Sequence, residues 1–108
     1  MDKERLLSIE ASNDGQSVFL FYDWVENCYK AYGWSAYYAD MVVTGGKKYF
    51  SAELQMPCMK LDDFNVRELR QTMFKMEHLT HQFYHFQTRG IIGDAGYERW
   101  KESLECRG

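Results

Sequence analysis

The stretch that decides the predicted fold runs from Phe64 to Arg89 and reads FNVRELRQTMFKMEHLTHQFYHFQTR. Apolar side chains return in it every three or four positions, which is typical of a helix lying on a core. At about 100° per residue, one half of this helix carries Val66, Leu69, Met73, Met76, Leu79, Thr80, Phe83 and Tyr84. The other half carries Arg67, Gln71, Lys75, His78, His81, Gln82, His85 and Arg89. We therefore predict one long amphipathic helix over residues 65–89.

Both ends of this predicted helix are marked by residues that favour helix termini. Asn65 and Glu68 stand three residues apart and fit a capping box, and Phe64 can pack on Leu69 as a hydrophobic staple. Gly90 can adopt the left-handed conformation that often ends a helix, because it lacks a Cβ atom. The local sequence thus predicts where the helix begins and where it stops.

The composition indicates one globular domain spanning residues 1–108. A chain of 108 residues can bury about two thirds of its unfolded surface. Hydrophobic residues make up 45% of it, which excludes a disordered chain, and 13 basic against 16 acidic residues argue against a general polyanion binder. No apolar run approaches the roughly 20 residues that span a bilayer, and no apolar signal region follows the charged opening. We expect a cytoplasmic protein that does not enter a membrane.

Three cysteines, Cys28, Cys58 and Cys106, are widely spaced along the chain. None forms a Cys-x-x-Cys pair, so the spacing indicates neither a zinc site nor a redox motif. We interpret them as reduced thiols that are mostly buried.

Aromatic residues are unusually dense in one segment. They make up 17% of the chain, and seven of them fall within residues 22–38. A core of this size cannot house every ring, and tyrosine or tryptophan left at a surface suits a protein interface. We select four of these residues as candidate partner-binding anchors: Tyr29, Tyr32, Trp34 and Tyr38.

The first part of the chain is interpreted as a hairpin. Apolar residues alternate over Leu7–Ala11, which favours a short strand, and Asn13-Asp14-Gly15 is a turn signal. Ser17–Tyr22 has apolar residues on both faces and is predicted to be a central strand. The segment Asp23–Tyr32 fits a short helix or turn, with Asp23 as a cap, although an irregular strand is the alternative.

A second hairpin is predicted around Gly45-Gly46. Residues 37–43 and 49–56 alternate on either side of these glycines, which suit a two-residue turn. This register would place Met41 opposite Phe50, Ala39 opposite Ala52, Tyr37 opposite Leu54, Asp40 opposite Ser51 and Tyr38 opposite Glu53. Pro57 would end the ladder because it cannot donate a backbone hydrogen bond.

The predicted fold class is α+β. After the break at Gly90–Gly93, Asp94 could cap a short final helix whose apolar stripe is Tyr97, Trp100 and Leu104. We therefore expect an antiparallel sheet of about four strands, formed by the two hairpins. The long helix and the short final helix would cover one face of this sheet.

The three histidines, His78, His81 and His85, lie within the predicted long helix. His81 and His85 are one helical turn apart, which is the spacing of a two-ligand metal clamp. His78 and His85 would be about 10 Å apart along the axis, too far for one ion to bind all three without strain. A solvated polar face is the preferred interpretation, and a pH-responsive contact surface is an alternative.

Basic residues flank the histidines on the same predicted face, interrupted by one apolar ring. Such a stripe could contact phosphates or an acidic protein patch. The residues of this alternative basic face are Arg67, Arg70, Phe74, Lys75, His78 and Arg89. No recognition motif of the usual nucleic-acid-binding modules accompanies them.

No enzymatic or cofactor-binding motif is present in the sequence. There is no glycine-rich phosphate loop and no Gly-x-Ser-x-Gly elbow, and the residues between His81 and His85 lack a glutamate general base. We therefore expect a non-enzymatic protein without a cofactor. A Cys–His pair formed by Cys28 or Cys58 stays open, since such partners meet only in the fold.

In size and composition the chain resembles small phage- or toxin-associated inhibitors, which are compact, mildly acidic and rich in aromatic residues. The resemblance is one of type and transfers no residue roles. It favours a protein-binding module of the immunity or phage anti-defence kind, which inhibits a partner by covering its surface. Nucleic-acid contact through the basic face, a metal site on His81 and His85, and a homodimer are the alternatives.

Overall fold

The computed structural model describes residues 3–13, 15–43, 45–73, 75–80, 83–88 and 95–107. Within this part of the chain the helices are α1 Lys3–Ala11, α2 Gly33–Val42, α3 Asp63–Thr72 and α4 Tyr97–Glu102. The strands are β1 Ser17–Asp23, β2 Cys28–Tyr32, β3 Lys47–Ser51, β4 Met56–Leu61, β5 Lys75–Thr80, β6 Phe83–Gln87 and β7 Cys106–Arg107. All seven strands join one sheet in the order β5-β6-β1-β2-β4-β3-β7.

The strand β1 lies in the middle of this sheet. It pairs antiparallel with β2, where Tyr22 is opposite Tyr29, and with β6, where Leu20 is opposite Tyr84. Side chains of a strand alternate between the two faces of a sheet. Because β1 is apolar at nearly every position, both faces of the sheet must be covered.

Two apolar clusters cover the two faces. The helix face packs Val18 and Leu20 of β1 against residues of α2, α3 and α4. The α1 face packs Phe19 and Phe21 of β1 against Leu6 of α1. The sheet is thus sandwiched between three helices on one side and α1, with the segment after β3, on the other.

A buried carboxylate joins α1 to the start of α2. Glu10 is only 4% exposed, and its two oxygens accept hydrogen bonds from the Ser35 amide (2.9 Å) and the Ser35 hydroxyl (2.6 Å). The amide of Phe19 in β1 donates to the same hydroxyl at 3.0 Å. Gly33 has a φ of +56°, and a Cβ atom there would lie 3.3 Å from the Glu10 side chain. Glu10 therefore satisfies the first amides of α2, which lacks a cap from its own N-cap residue.

The prediction of one long helix over 65–89 is wrong beyond its first eight residues. The helix α3 ends at Thr72, and the described residues that follow form the antiparallel pair of β5, Lys75–Thr80, and β6, Phe83–Gln87. The predicted core positions Val66, Leu69 and Met73 are buried as expected. Later in the stretch, three of the four residues at 83–86 are phenylalanine or tyrosine, which favour a strand. Short apolar runs fit both periodicities, so the pattern could not locate the change.

The predicted capping box is displaced by three residues. The N-cap is Asp62, whose carboxylate accepts from the Asn65 amide at 2.9 Å, while the Asn65 side chain accepts from the Asp62 amide at 3.2 Å. Asn65 is therefore the third residue of the helix and not its cap. The side-chain Nδ2 of Asn65 also donates to the Glu68 carboxylate at 3.2 Å. The two residues of the predicted capping box are therefore in contact, but Asn65 is not the N-cap.

The second predicted hairpin is wrong, because residues 37–42 belong to α2. Tyr37 and Tyr38 are both buried in the helix-face cluster, which a strand with one apolar face could not achieve. The real hairpin is β3–β4, whose register places Phe50 opposite Pro57, so the predicted pairings of residues 37–41 with 50–54 do not form. Pro57 lies inside β4 and does not end the ladder, and the pairing of β4 with β2 begins at Cys58.

Two further predictions near the N-terminus need correction. The predicted strand Leu7–Ala11 is part of α1, in which Leu6 and Glu10 bury one side at helical spacing. The helix considered for Asp23–Tyr32 does not form, and a turn at 24–27 leads into β2. Asp23 does cap this turn, because its carboxylate accepts from the amides of Val25 and Glu26.

Several predictions are confirmed. The fold is α+β with a mainly antiparallel sheet, β1 is a central strand, and a short final helix buries Tyr97. The sheet has seven strands where about four were predicted, and both of its faces carry helices. Gly90 and Asp94, predicted as a stop and a cap, lie outside the described residues. Among those residues, no helix combines the length and apolar composition that a membrane crossing requires.

The cap of α3 can be tested by paired substitutions. Asp62→Ala should lower the free energy of unfolding by about 1 kcal/mol, because it removes the capping oxygen. Asp63→Ala, one residue later, removes only a charge near the helix N-terminus and should cost a few tenths of a kcal/mol at most. Urea denaturation of both variants measures the difference. Equal losses would contradict the assignment of Asp62 as the cap.

The buried carboxylate should make stability depend on pH. Burial raises the pKa of Glu10 from its ordinary value of 4.5 to about 7, although hydrogen bonds from Ser35 oppose this rise. Between these two pH values the folded chain keeps a proton that the unfolded chain has released. The stabilisation is complete below pH 4.5 and is lost as the pH rises through 7.

Glu10→Gln cannot titrate and should remove this pH dependence. As the pH rises from 5 to 8, the free energy of unfolding of the variant should therefore increase relative to that of the wild type, by up to about 3 kcal/mol. The matched control is Glu4→Gln, an exposed position on the same helix. Denaturation curves at several pH values give the comparison. A Glu10→Gln difference that is independent of pH would show that Glu10 titrates normally in the folded state.

Candidate functional site

Exposed hydrophobic side chains concentrate at one end of the sheet. Four large ones are exposed among the described residues: Trp24 (62%), Val25 (92%), Met41 (53%) and Phe64 (58%). Trp24 and Val25 form the turn between β1 and β2. Phe64 is the second residue of α3 and stands three residues after Leu61, which is opposite Tyr29 in the sheet. Three of the four therefore share one end of the molecule, whereas Met41 lies on α2.

We call this end the turn-end surface and define it by Tyr22, Trp24, Val25, Tyr29 and Phe64. Three of its rings follow one another in contact, since Trp24 meets Tyr22 edge-on at 4.5 Å between centroids and Tyr22 meets Tyr29 at 5.0 Å. Tyr22 and Tyr29 are direct cross-strand partners, which explains their contact. The row continues from Tyr29 to Tyr84 of β6 at 5.2 Å.

The turn that carries Trp24 and Val25 is fixed by charged contacts. Lys30 of β2 has a side chain that is only 10% exposed, and its ammonium lies 2.7 Å from Asp23 and also contacts Glu26. Glu26 in turn binds Lys60 of β4. The hydrogen bond from Lys30 is the main reason that the pKa values of Asp23 and Glu26 are lowered. Burial alone would lower the pKa of Lys30, but its hydrogen bonds to these carboxylates outweigh that and raise it.

A small cavity adjoins the turn-end surface. It has a volume of about 190 Å³ and lies where α3 passes the ends of β2 and β6. We call it the arginine cavity, and its lining residues are Tyr29, Asp63, Val66, Arg67, Arg70 and Tyr84. The Tyr29 hydroxyl donates to that of Tyr84 at 3.5 Å, and burial, followed by this hydrogen bond, raises the pKa of Tyr29.

The two arginines of this cavity are exposed on α3, next to the positions that anchor the helix. Val66 and Leu69 face the core, and Arg67 and Arg70 each follow one of them. Neither arginine forms an ion pair with a carboxylate of the described part of the chain. The cavity thus combines two guanidinium groups with a tyrosine hydroxyl pair.

The four predicted anchors are placed unequally. Tyr29 belongs to the turn-end surface. Tyr32 is buried in the α1-face cluster and Tyr38 in the helix-face cluster, so neither presents a ring to a partner. Trp34 is half-buried and stacks on Tyr97 with 3.7 Å between centroids. The exposed hydrophobic residues of the turn-end surface that the sequence analysis did not select are Trp24, Val25 and Phe64. A signal was available for two of them, since Asp23 and Asn27 flank Trp24-Val25 as turn residues do.

The predicted basic face is not one face of a helix, because the stretch changes from helix to strand. Arg67 and Arg70 lie on α3, while Lys75 and His78 lie in β5, opposite Gln87 and Tyr84. Phe74 and Arg89 are outside the described residues. The two arginines stay together, and the fold brings them beside Tyr29.

The predicted metal clamp is also wrong in its geometry, because His85 lies in β6 and not in a helix. Its ring stacks on Phe19 at 4.7 Å, and its Nε2 atom is 2.9 Å from the Ser17 hydroxyl. His81 lies outside the described residues. Within the part of the chain that the structure describes, no group of three or more histidine, cysteine or acidic side chains could hold a metal ion.

The thiols are in environments that disfavour nucleophilic chemistry. Burial raises the pKa of the buried Cys58 and of the half-buried Cys28, and the thiolate is the reactive form of cysteine. Cys106 is exposed near the end of the chain, and all three cysteines are free.

Comparisons with known proteins do not identify the chain. No protein-family model, no curated protein and no solved structure matches it.

The exposure of the turn can be tested by fluorescence. Of the three tryptophans, Trp34 is stacked on Tyr97 and Trp100 donates to Asp40 at 2.8 Å, whereas Trp24 faces water. Trp24→Phe should therefore remove most of the emission that acrylamide quenches and shift the remaining emission to the blue. Unchanged quenching in this variant would show that Trp24 is covered.

Proposed function

We propose that this protein is a small binding module that covers a surface of another protein, with the turn-end surface as its contact face. The observation that supports this proposal is the exposure of Trp24, Val25 and Phe64 together at one end of the sheet. Scattered exposed hydrophobic residues are normal in soluble proteins, whereas clustered ones mark interaction sites. The mechanism would be occlusion of the partner, as in inhibitors of the immunity or anti-defence kind.

The composition of the surface supports this function. Tryptophan, tyrosine and arginine are the residues that most often dominate binding energy at protein interfaces. Here Trp24, Tyr22 and Tyr29 form a continuous row of rings, with Arg67 and Arg70 beside it. Aromatic anchors surrounded by polar groups that exclude water are the typical arrangement of such hot spots.

The turn is also held rigidly before any partner arrives. The Asp23 carboxylate accepts two backbone hydrogen bonds within the turn, and Lys30 binds both Asp23 and Glu26. A preorganised contact face loses less conformational freedom on binding. The fixed turn therefore lowers the conformational entropy that Trp24 and Val25 would lose when a partner binds.

Protein is a better occupant of this surface than nucleic acid. The chain carries a net charge of −3, and the carboxylates of Glu26, Asp62 and Asp63 lie close to the two arginines or the exposed turn. Nucleic-acid affinity depends on many phosphate contacts made by basic residues. Two arginines among nearby acids favour a local contact with a protein.

The free thiols suit a reducing compartment, because exposed cysteines such as Cys106 oxidise readily outside one. We therefore include the cytoplasm in the proposal as the place where the partner is met.

The contact face can be tested with matched variants. Tagged wild-type protein, Trp24→Ala and Met41→Ala are used to capture proteins from cells that express the chain. A partner should be retained by the wild type and by Met41→Ala, whose exposed side chain belongs to α2 and not to the turn-end surface, and lost by Trp24→Ala. The purified partner should then bind Trp24→Ala more weakly by at least about 1–2 kcal/mol.

Circular dichroism of each variant checks that the fold is intact. The proposal fails if no captured protein distinguishes Trp24→Ala from Met41→Ala, or if the purified partner binds both equally. It also fails if the material lost on Trp24→Ala is nucleic acid, or a second copy of the chain detected by sedimentation.

A further inference from the structure

We propose that the arginine cavity is a subsite for one carboxylate side chain, aspartate or glutamate, of the partner protein. This inference rests on the proposed protein-binding function and names the chemistry of the group that the partner contributes. Its basis is the combination of charge, donors and size within the cavity.

The donors of the cavity match an oxygen anion. Arg67 and Arg70 each offer a planar fork of N–H groups, which binds carboxylate oxygens in pairs. They have no carboxylate partner elsewhere in the described structure at ion-pair distance. Tyr29 and Tyr84, whose hydroxyls are 3.5 Å apart, also line this cavity. The two guanidinium groups are therefore the donors that an entering anion would meet.

The charge of the cavity favours a carboxylate over a phosphate. Two guanidinium groups and the single carboxylate of Asp63 line it, which leaves one positive charge in excess. A carboxylate carries one negative charge, whereas a phosphate group carries between one and a half and two at neutral pH. The singly charged group balances the excess, and the doubly charged group would leave negative charge beside Asp63.

The size of the cavity supports a side chain as its occupant. Its volume of about 190 Å³ is below the range of roughly 300–1,000 Å³ that is usual for small-molecule sites. Tyr29 belongs both to this cavity and to the turn-end surface. A partner seated on the rings of that surface would therefore have the cavity at its border, within reach of one of its own side chains.

The subsite can be tested without knowing the partner. Wild-type protein with ¹⁵N-labelled arginine is titrated at constant ionic strength with N-acetylglutamate α-amide, whose only charge is its side-chain carboxylate. The arginine Nε–Hε signals are followed by NMR. The signals of Arg67 and Arg70 should shift in a saturable way. The signal of Arg99, exposed on α4, serves as the internal control and should not shift.

Two further probes and three variants make the test specific. The amide of N-acetylglutamine, which is neutral and of the same shape, should produce no saturable shift, and inorganic phosphate should bind more weakly than the carboxylate probe. Arg67→Gln and Arg70→Gln should each weaken the carboxylate probe by about tenfold, because a charge-assisted pair is lost. Arg99→Gln should leave the affinity unchanged.

Equal shifts with the glutamine probe, or shifts of Arg99 as large as those of Arg67, would overturn the subsite. Tighter binding of phosphate would overturn the carboxylate assignment. These outcomes are separate from a failure of the proposed function, because the titration needs no partner and Trp24→Ala should leave it unchanged. With a purified partner, Arg67→Gln should weaken binding about tenfold while Arg99→Gln does not.

Discussion

The strand β1 imposes the constraint on which the rest of the structure depends. Its apolar side chains point to both faces, so the sheet is stable only when helices cover both. The chain meets this demand with α2 and α3 on one side and α1 on the other, and Glu10 joins the two layers at Ser35. The sheet also contains a buried charge, because Lys30 of β2 lies directly opposite Phe21 of β1. An ammonium in that position requires carboxylates, and the turn supplies them.

This requirement links the centre of the sheet to the proposed contact face. Asp23 and Glu26 neutralise Lys30, and the two residues between them are Trp24 and Val25. The ion pairs therefore fix the two ends of the segment whose apolar side chains face water. Removing apolar surface from water yields roughly 25 cal/mol per Å². Burial of Trp24, Val25 and Phe64 by a partner would therefore stabilise the proposed complex.

The sequence predicted the class of the fold and some of its elements, but not their arrangement. Strong local signals succeeded: β1 is apolar on both faces, and Val66, Leu69 and Met73 share a helical stripe. The predictions for short alternating segments were wrong. A segment as short as residues 37–43 fits the periodicity of a strand as well as that of a helix. Two of the residues selected as anchors, Tyr32 and Tyr38, are buried for a related reason. Whether Tyr38 or Trp24 is exposed depends on whether each lies in a helix or a turn.

The fold also unites two surfaces that the sequence suggested separately. Tyr29 was predicted as an aromatic anchor, while Arg67 and Arg70 were predicted as part of a basic helix face. They meet because Leu61, the partner of Tyr29 in β4, is followed after one residue by α3. Since Val66 and Leu69 hold that helix on the sheet, the arginines are carried to the side where the rings of β2 and β6 end.

The position of the arginines beside an apolar surface has an energetic consequence. An ion pair in open water contributes little, because water screens both charges and competes for the donors. The same pair gains strength when neighbouring groups exclude water, provided that the donors already have the correct geometry. Trp24 and Phe64 could provide this exclusion once a partner covers them. In the proposed complex the rings and the arginines would be coupled, because the guanidinium groups would discriminate between partners only where the rings exclude water.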